Sequence, residues 1–205
     1  RWRMDKQKLA TYTAEEVFDF AKDGNVLIRG WGAAALLRDI PNVLHVRLCA
    51  PMSTRERVLS ERLKLSGTAN ARHEIEQSDA AQSRIVEGLY HVHANDPFLY
   101  NITLNTSCIS VETCVTTLQL LASDPAFQET AATRSALKDK LLEWHVRTAL
   151  AESHLSRTDT ACIEPAVTHG KIALNGACSD ERHKDEVEEL VRNIAGVKAI
   201  ESNIR

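Results

Sequence analysis

The spacing of apolar residues changes character along this chain. From residue 13 to 123, short apolar runs alternate with longer polar stretches of helical period. Thr13 and Glu16 are spaced to cap a helix whose inner side carries Val17, Phe18 and Ala21, with a stop at Gly24. NVLI (25–28) reads as a buried strand, and AAALLRD (33–39) as one or two helical turns. VLHVRLCA (43–50) is rich in β-branched and apolar residues and is closed by Pro51, which suits a central parallel strand. Two helices follow around Ser66 and Gly67, with Ile75, Ile85, Val86 and Leu89 as a sparse apolar stripe. ITLNT (102–106) is a third short strand, and Val111, Val115, Leu118 and Ala122 repeat at helical spacing up to Asp124 and Pro125. Strands alternating with helices predict an α/β layered domain around a parallel sheet over residues 1–123.

Residues 124–133, DPAFQETAAT, read as a linker, and beyond them the pattern shifts. Leu137, Leu141 and Trp144 on one stripe, with Leu142, Val146 and Leu150 beside it, predict a strongly amphipathic helix. Strands near 163–167 and 171–175 meet at His169 and Gly170, where glycine supplies the positive φ of a tight turn. Val187, Leu190, Val191 and Ile194 mark a second helix closed at Gly196, and VKAIESNI (197–204) is a last strand. The order αββαβ over residues 134–205 describes a small α+β domain able to fold on its own.

Composition narrows the function classes. A hydrophobic content of 43% is enough for packed cores. Twenty-five basic against 28 acidic side chains give a net charge of −3, so no nucleic-acid partner is expected. The distribution is more telling, because eight Lys/Arg face three Asp/Glu between Arg29 and Arg72. Either an anion docks there or a solvated helix face carries the excess. No apolar run approaches the roughly 20 residues of a membrane span, and the first residues lack the apolar middle of a signal peptide, so a cytoplasmic location is expected. Five cysteines without a CxxC pair read as reduced, buried small residues. His91, His93 and Asp96 have alternate spacing but fall in what reads as a loop, so no metal is expected, and His45 reads as a hydrogen-bonded core histidine.

A buried strand that delivers Arg55, Arg57 and Arg62 to an anion is half of a nucleotide-handling site. The other half, GxxxxGK[ST] after a first strand, is absent from these residues. The pieces VLIRGWGAAALLRD, PNVLHVRLCAPMSTRERV, SDAAQSR and DPFLYNITLNT, followed by VETCVTTL, occur in an order that resembles the cytidylate kinase-like family, a branch of the P-loop nucleoside monophosphate kinases, from about Thr13 to Leu121. That resemblance implies an incomplete three-layer kinase-like domain. It implies phosphate contacts from a glycine-rich loop, a lysine and several arginines, because phosphoryl transfer needs charge neutralisation and placement. Gly30-Trp31-Gly32-Ala33 stands where the family tends to read GRGA, so an indole replaces a phosphate-facing arginine. Arg29 is the nearest replacement. Arg55, Arg57 and Arg62 match the basic start of the lid, and Arg84, near Asp79, a second lid arginine, with Gln82 where an arginine is expected; either they hold a phosphate or they only make surface ion pairs with Glu56, Glu61 and Asp79.

The stretch HGKIALNGACSD, the helix ERHKDEVEELVRNI and the ending AGVKAIESNIR, with structural glycines Gly170, Gly176 and Gly196, resemble the BON domain. The resemblance implies a binding module, linked in that family to phospholipid surfaces, and no catalysis. Counting gives this region 11 Lys/Arg and 12 Asp/Glu, so no basic face is evident.

The expected protein is a pseudoenzyme: a kinase-like domain that binds a nucleotide or phosphate without transferring it, coupled to a BON module as sensor or scaffold. One alternative is the C-terminal portion of an active cytidylate kinase whose loop lies upstream of residue 1, which would then use ATP/Mg and CMP. Another is a dimerisation platform for a phospholipid- or protein-binding BON domain. A sheet lacking its first unit leaves an open edge, so a homo-oligomer is expected.

Overall fold

Pro51 has no backbone N–H to give a sheet, and its fixed φ suits the residue before a helix. It divides the strand β1 (Val46–Cys49) from the helix α3 (Met52–Leu63). The structure, a computed structural model, describes residues 6–30, 32–64, 68–153, 163–178 and 180–205. Trp31, Ser66, Gly67 and Cys162 lie outside them. The remaining elements are α1 (Lys6–Lys22), α2 (Ala33–Leu36), α4 (Thr68–Tyr90), β2 (Ile102–Asn105), α5 (Val111–Ala122), α6 (Ala131–Glu152), β3 (Glu164–Thr168), β4 (Lys171–Gly176), α7 (Glu181–Arg192) and β5 (Ala199–Ile204).

Two compact units emerge, residues 32–128 and residues 1–31 with 129–205. In the first, β1 and β2 form a parallel pair running from Val46 opposite Ile102 to Cys49 opposite Asn105. Asn101 fixes the entrance, its side-chain oxygen accepting from the His45 N–H at 2.7 Å while its own N–H donates to the His45 carbonyl at 2.8 Å. α3 and α4 pack as a helical hairpin, and α5 opens at Ser110, whose hydroxyl accepts from the Thr113 N–H at 3.1 Å. Leu36, Leu37, Ile40, Ala71, Ile75, Leu99, Leu104 and Cys114 are buried in this unit.

The second unit has the order αββαβ, preceded by α1. Its sheet runs β3-β4-β5, with β4 central, antiparallel to β3 and parallel to β5. Val146, Leu150, Ile172, Leu174, Val187, Val191 and Ile204 interlock between the sheet and the inner faces of α6 and α7. α1 lies antiparallel along α6. Phe18 stacks on Trp144 with 6.4 Å between ring centroids, the Thr148 hydroxyl donates to Glu15 at 3.1 Å, and the Tyr12 hydroxyl donates to Glu152. An apolar stripe of Ala10, Ala14, Val17 and Phe18 gives α1 its buried side.

Three local expectations need correcting. Thr13 is not a helix cap, since α1 begins at Lys6 and Ala10 already belongs to its buried stripe. Residues 25–28 form no strand: Gly24, Asn25 and Gly30 all have positive φ, which breaks an extended run, and Leu27 is 91% exposed. The sheet of the first unit therefore has two strands. Residues 124–133 are more ordered than a linker, with a 3-10 turn at Pro125–Phe127 capped by Asp124 and α6 starting at Ala131 under a reciprocal Thr130–Thr133 cap.

Candidate phosphate-binding surface

α3 is the most polar helix of its unit and buries none of its residues, because its arginines need solvent or partners. Arg55 finds one on α4. Its two terminal nitrogens donate to the two oxygens of Asp79 at 2.7 and 2.6 Å, a fork-to-fork pair. Hydrogen bonding to Asp79 raises the Arg55 pKa, and the same bond lowers the Asp79 carboxyl below its usual range. Arg72 of α4 reaches back to Glu56 of α3 at 2.5 Å, and Arg57 pairs with Glu61 one turn on at 3.1 Å. Arg84 donates its Nε to the Ala80 carbonyl at 3.1 Å, and Arg62 sits exposed in the last turn of α3.

The structure thus joins Arg55 to Asp79 rather than converging the candidate arginines on one vacant point. Arg29 and Gly30 are exposed in the segment after α1. Gly32 has a clear steric role. It caps α2 at φ 68°, and a Cβ there would lie 2.4 Å from Cε2 of Tyr90. The missing side chain makes room for that ring, whose buried hydroxyl has its pKa raised by desolvation. Gly30, also at positive φ, faces open space. In the other unit Gly170 sits in the β3–β4 turn, Gly176 ends β4, and Gly196 packs 3.8 Å from the Leu142 methyls as judged by its missing Cβ.

Sequence reasoning passed over Arg47 of β1. Its guanidinium donates to Asn95 Oδ1 at 2.6 Å and stands over the Tyr100 ring, 5.7 Å from the centroid, with neutral partners only. The clue was available in NDPFLYN (95–101), where Asn95, Tyr100 and Asn101 precede the second strand. His45 is buried as expected. A backbone hydrogen bond at Leu37 supports its ring, yet Nε2 has no partner and burial lowers its pKa. His93 pairs with Glu87 at 3.1 Å, and Asp96 caps the turn at Pro97.

A parallel strand pair feeding an arginine-bearing helical hairpin, in a chain that also carries an αββαβ unit, defines a nucleotide-kinase-type α/β protein with a small appended α+β domain. The chain belongs to the cytidylate kinase-like family, matching it over residues 3–108, and residues 138–205 are a BON domain. No curated protein and no solved structure matches it. The family match includes α1, although α1 lies along α6 of the BON-bearing unit. No described helix is long and apolar enough to cross a membrane.

Proposed function

We propose that these residues bind a phosphate-bearing ligand, in the first place a nucleotide such as CMP, without transferring phosphate, and that the protein acts as a sensor or scaffold through its BON domain. The observation that carries this reading is the Arg55–Asp79 fork. Both side chains are more than a third exposed, so the pair is worth no more than about 1 kcal/mol and a phosphate can displace the carboxylate. Arg57 is held by an exposed pair with Glu61, whereas Arg72 reaches Glu56, whose side chain is largely covered. The residues lack the glycine loop and lysine that would place a second nucleotide for transfer. Calorimetric titration with CMP and ATP, beside a coupled assay of ATP-dependent CMP phosphorylation, tests it. Saturable CMP binding without turnover is expected; turnover by residues 1–205 overturns the reading.

One observation favours a second reading. A two-stranded parallel sheet is rare alone, since parallel strands are ordinarily flanked and covered on both faces, and Leu48 of β1 is 62% exposed. Further strands, from a longer product containing a phosphate loop or from a second copy, would cover it. In that case the same arginines serve an active kinase. The mass of the native product and its sedimentation behaviour separate the two.

A further inference from the structure

The β3–β4 turn is built against α6 by one carboxylate. His169 and Gly170 both have positive φ, the conformation of a tight type I′ hairpin turn, and both of their N–H groups donate to Asp139, at 2.7 and 2.9 Å. The Lys198 ammonium donates to the His169 carbonyl at 3.0 Å, and the His169 ring meets the Ser135 hydroxyl at 3.2 Å. Between this turn, the first half of α6 and the loop before β5 lies a cavity of about 350 Å³. Its rim carries Ser135, Lys138, His145, His169 and Lys198, and its floor Leu141, Leu142 and Gly196.

Pairing sets this rim apart. On α6, Arg134 is matched to Glu129, and Lys140 and Arg147 to Glu143; on α7, Arg182, Lys184 and Arg192 each have a carboxylate. Among the described residues, Lys138 and Lys198 have no carboxylate partner, although they are 60 positions apart in sequence and line one cavity. Asp139 also lines the cavity and keeps its charge, with both its oxygens accepting from backbone N–H groups. Glu15 is the other nearby acid, at 3.2 Å from His145 Nε2.

We propose that this cavity is a second site, independent of the α3 arginines, and that it takes the phosphate group of a soluble small molecule. Lys138, Lys198, Ser135 and two imidazole rings line a concavity of ligand size, and Leu141 and Leu142 beside them accommodate the body behind the phosphate. A membrane surface suits it less. Among the described residues of 129–205 no large hydrophobic side chain is exposed, so that surface offers no apolar anchor beside the lysines.

Titration of the full chain with inorganic pyrophosphate and with CMP, alongside co-sedimentation with phosphatidylglycerol vesicles, tests the assignment. A saturable isotherm is expected, weakened about tenfold or more in Lys138→Gln/Lys198→Gln. Lys140→Gln, which removes a paired charge on the same helix, should leave pyrophosphate binding within about twofold. The amide resonances of Gly170 and Gly196 should move on titration. An isotherm indifferent to the two lysines overturns the proposal, as does capture only on vesicles. Pyrophosphate binding lost in Arg55→Gln with the double lysine variant intact overturns it while leaving the α3 surface standing.

Discussion

Ile172, Leu174, Val187 and Val191 of the BON-bearing unit are fully shielded, and each comes from an element that also pairs or packs on two others. In the kinase-like unit α3 buries nothing, Phe98 is 96% exposed, and Leu48, Val111 and Leu120 also face solvent. Among the described residues, 129–205 expose no large hydrophobic side chain, whereas the kinase-like unit has a two-stranded sheet with both outer edges unpaired. The difference lies in sheet construction. β4 is covered on one face by α6 and α7 and flanked on both edges, whereas β1 has one neighbour.

Core truncations sharpen this contrast most. Leu174→Ala should cost about 2–5 kcal/mol, because a fully buried side chain leaves a cavity. Leu48→Ala should stay within about 0.5 kcal/mol, as exposed positions do. Thermal unfolding of both variants, read by circular dichroism, checks the pair. A large loss for Leu48→Ala would mean that β1 is covered in solution and would break the comparison. Next in size, Gly32→Ala should cost about 2–3 kcal/mol, combining strained φ with a Cβ driven into Tyr90, against about 1 kcal/mol for Gly30→Ala, where only the backbone resists. Equal losses at the two glycines would remove the steric account of Gly32.

Sequence periodicity carried most of the elements, and its failures have specific causes. The αββαβ order was readable because each strand and helix there has one apolar face and one polar face. β1 was readable because Pro51 punctuates it. Residues 25–28 misled because NVLI has strand composition while Asn25 takes positive φ. The arginines of α3 were legible as a charge excess, but Asp79, more than 20 positions from Arg55, neutralises the first of them, and composition does not record pairing. For the same reason near-equal totals of acid and base hid the cavity: Arg134, Lys140, Arg147 and the cations of α7 have carboxylate partners, and among the described residues Lys138 and Lys198 have none.

His45 gives a smaller, pH-dependent effect confined to the kinase-like unit. Burial lowers its folded-state pKa below the unfolded value of about 6.5. As pH falls the unfolded chain therefore takes up this proton first, so stability is full above about pH 6.5 and declines below it until the folded form also protonates. The depressed carboxyls of Asp79, Glu129 and Asp180 lose their contribution only as pH falls further, through the acid range. Melting temperature between pH 7 and 5 should fall less in His45→Gln than in the parent chain. Parallel slopes would show that the imidazole is not the group responsible.

The smallest stability effect is also the most discriminating for function. Asp79→Asn removes one partner of a half-exposed pair, so it should cost no more than about 1 kcal/mol. Its effect on binding has the opposite sign if α3 holds phosphate. Asp79 occupies both donors that a phosphate would use, and replacing its charge frees Arg55, so CMP affinity should rise by about threefold to tenfold. The carboxylate of the other site behaves differently. Asp139 engages backbone N–H groups and competes with no ligand, so Asp139→Asn loosens the turn and should weaken pyrophosphate binding. Calorimetry on the two variants puts both regions to one measurement. Unchanged CMP affinity in Asp79→Asn would remove α3 as a phosphate surface and leave the Arg55–Asp79 fork as a tie between two helices.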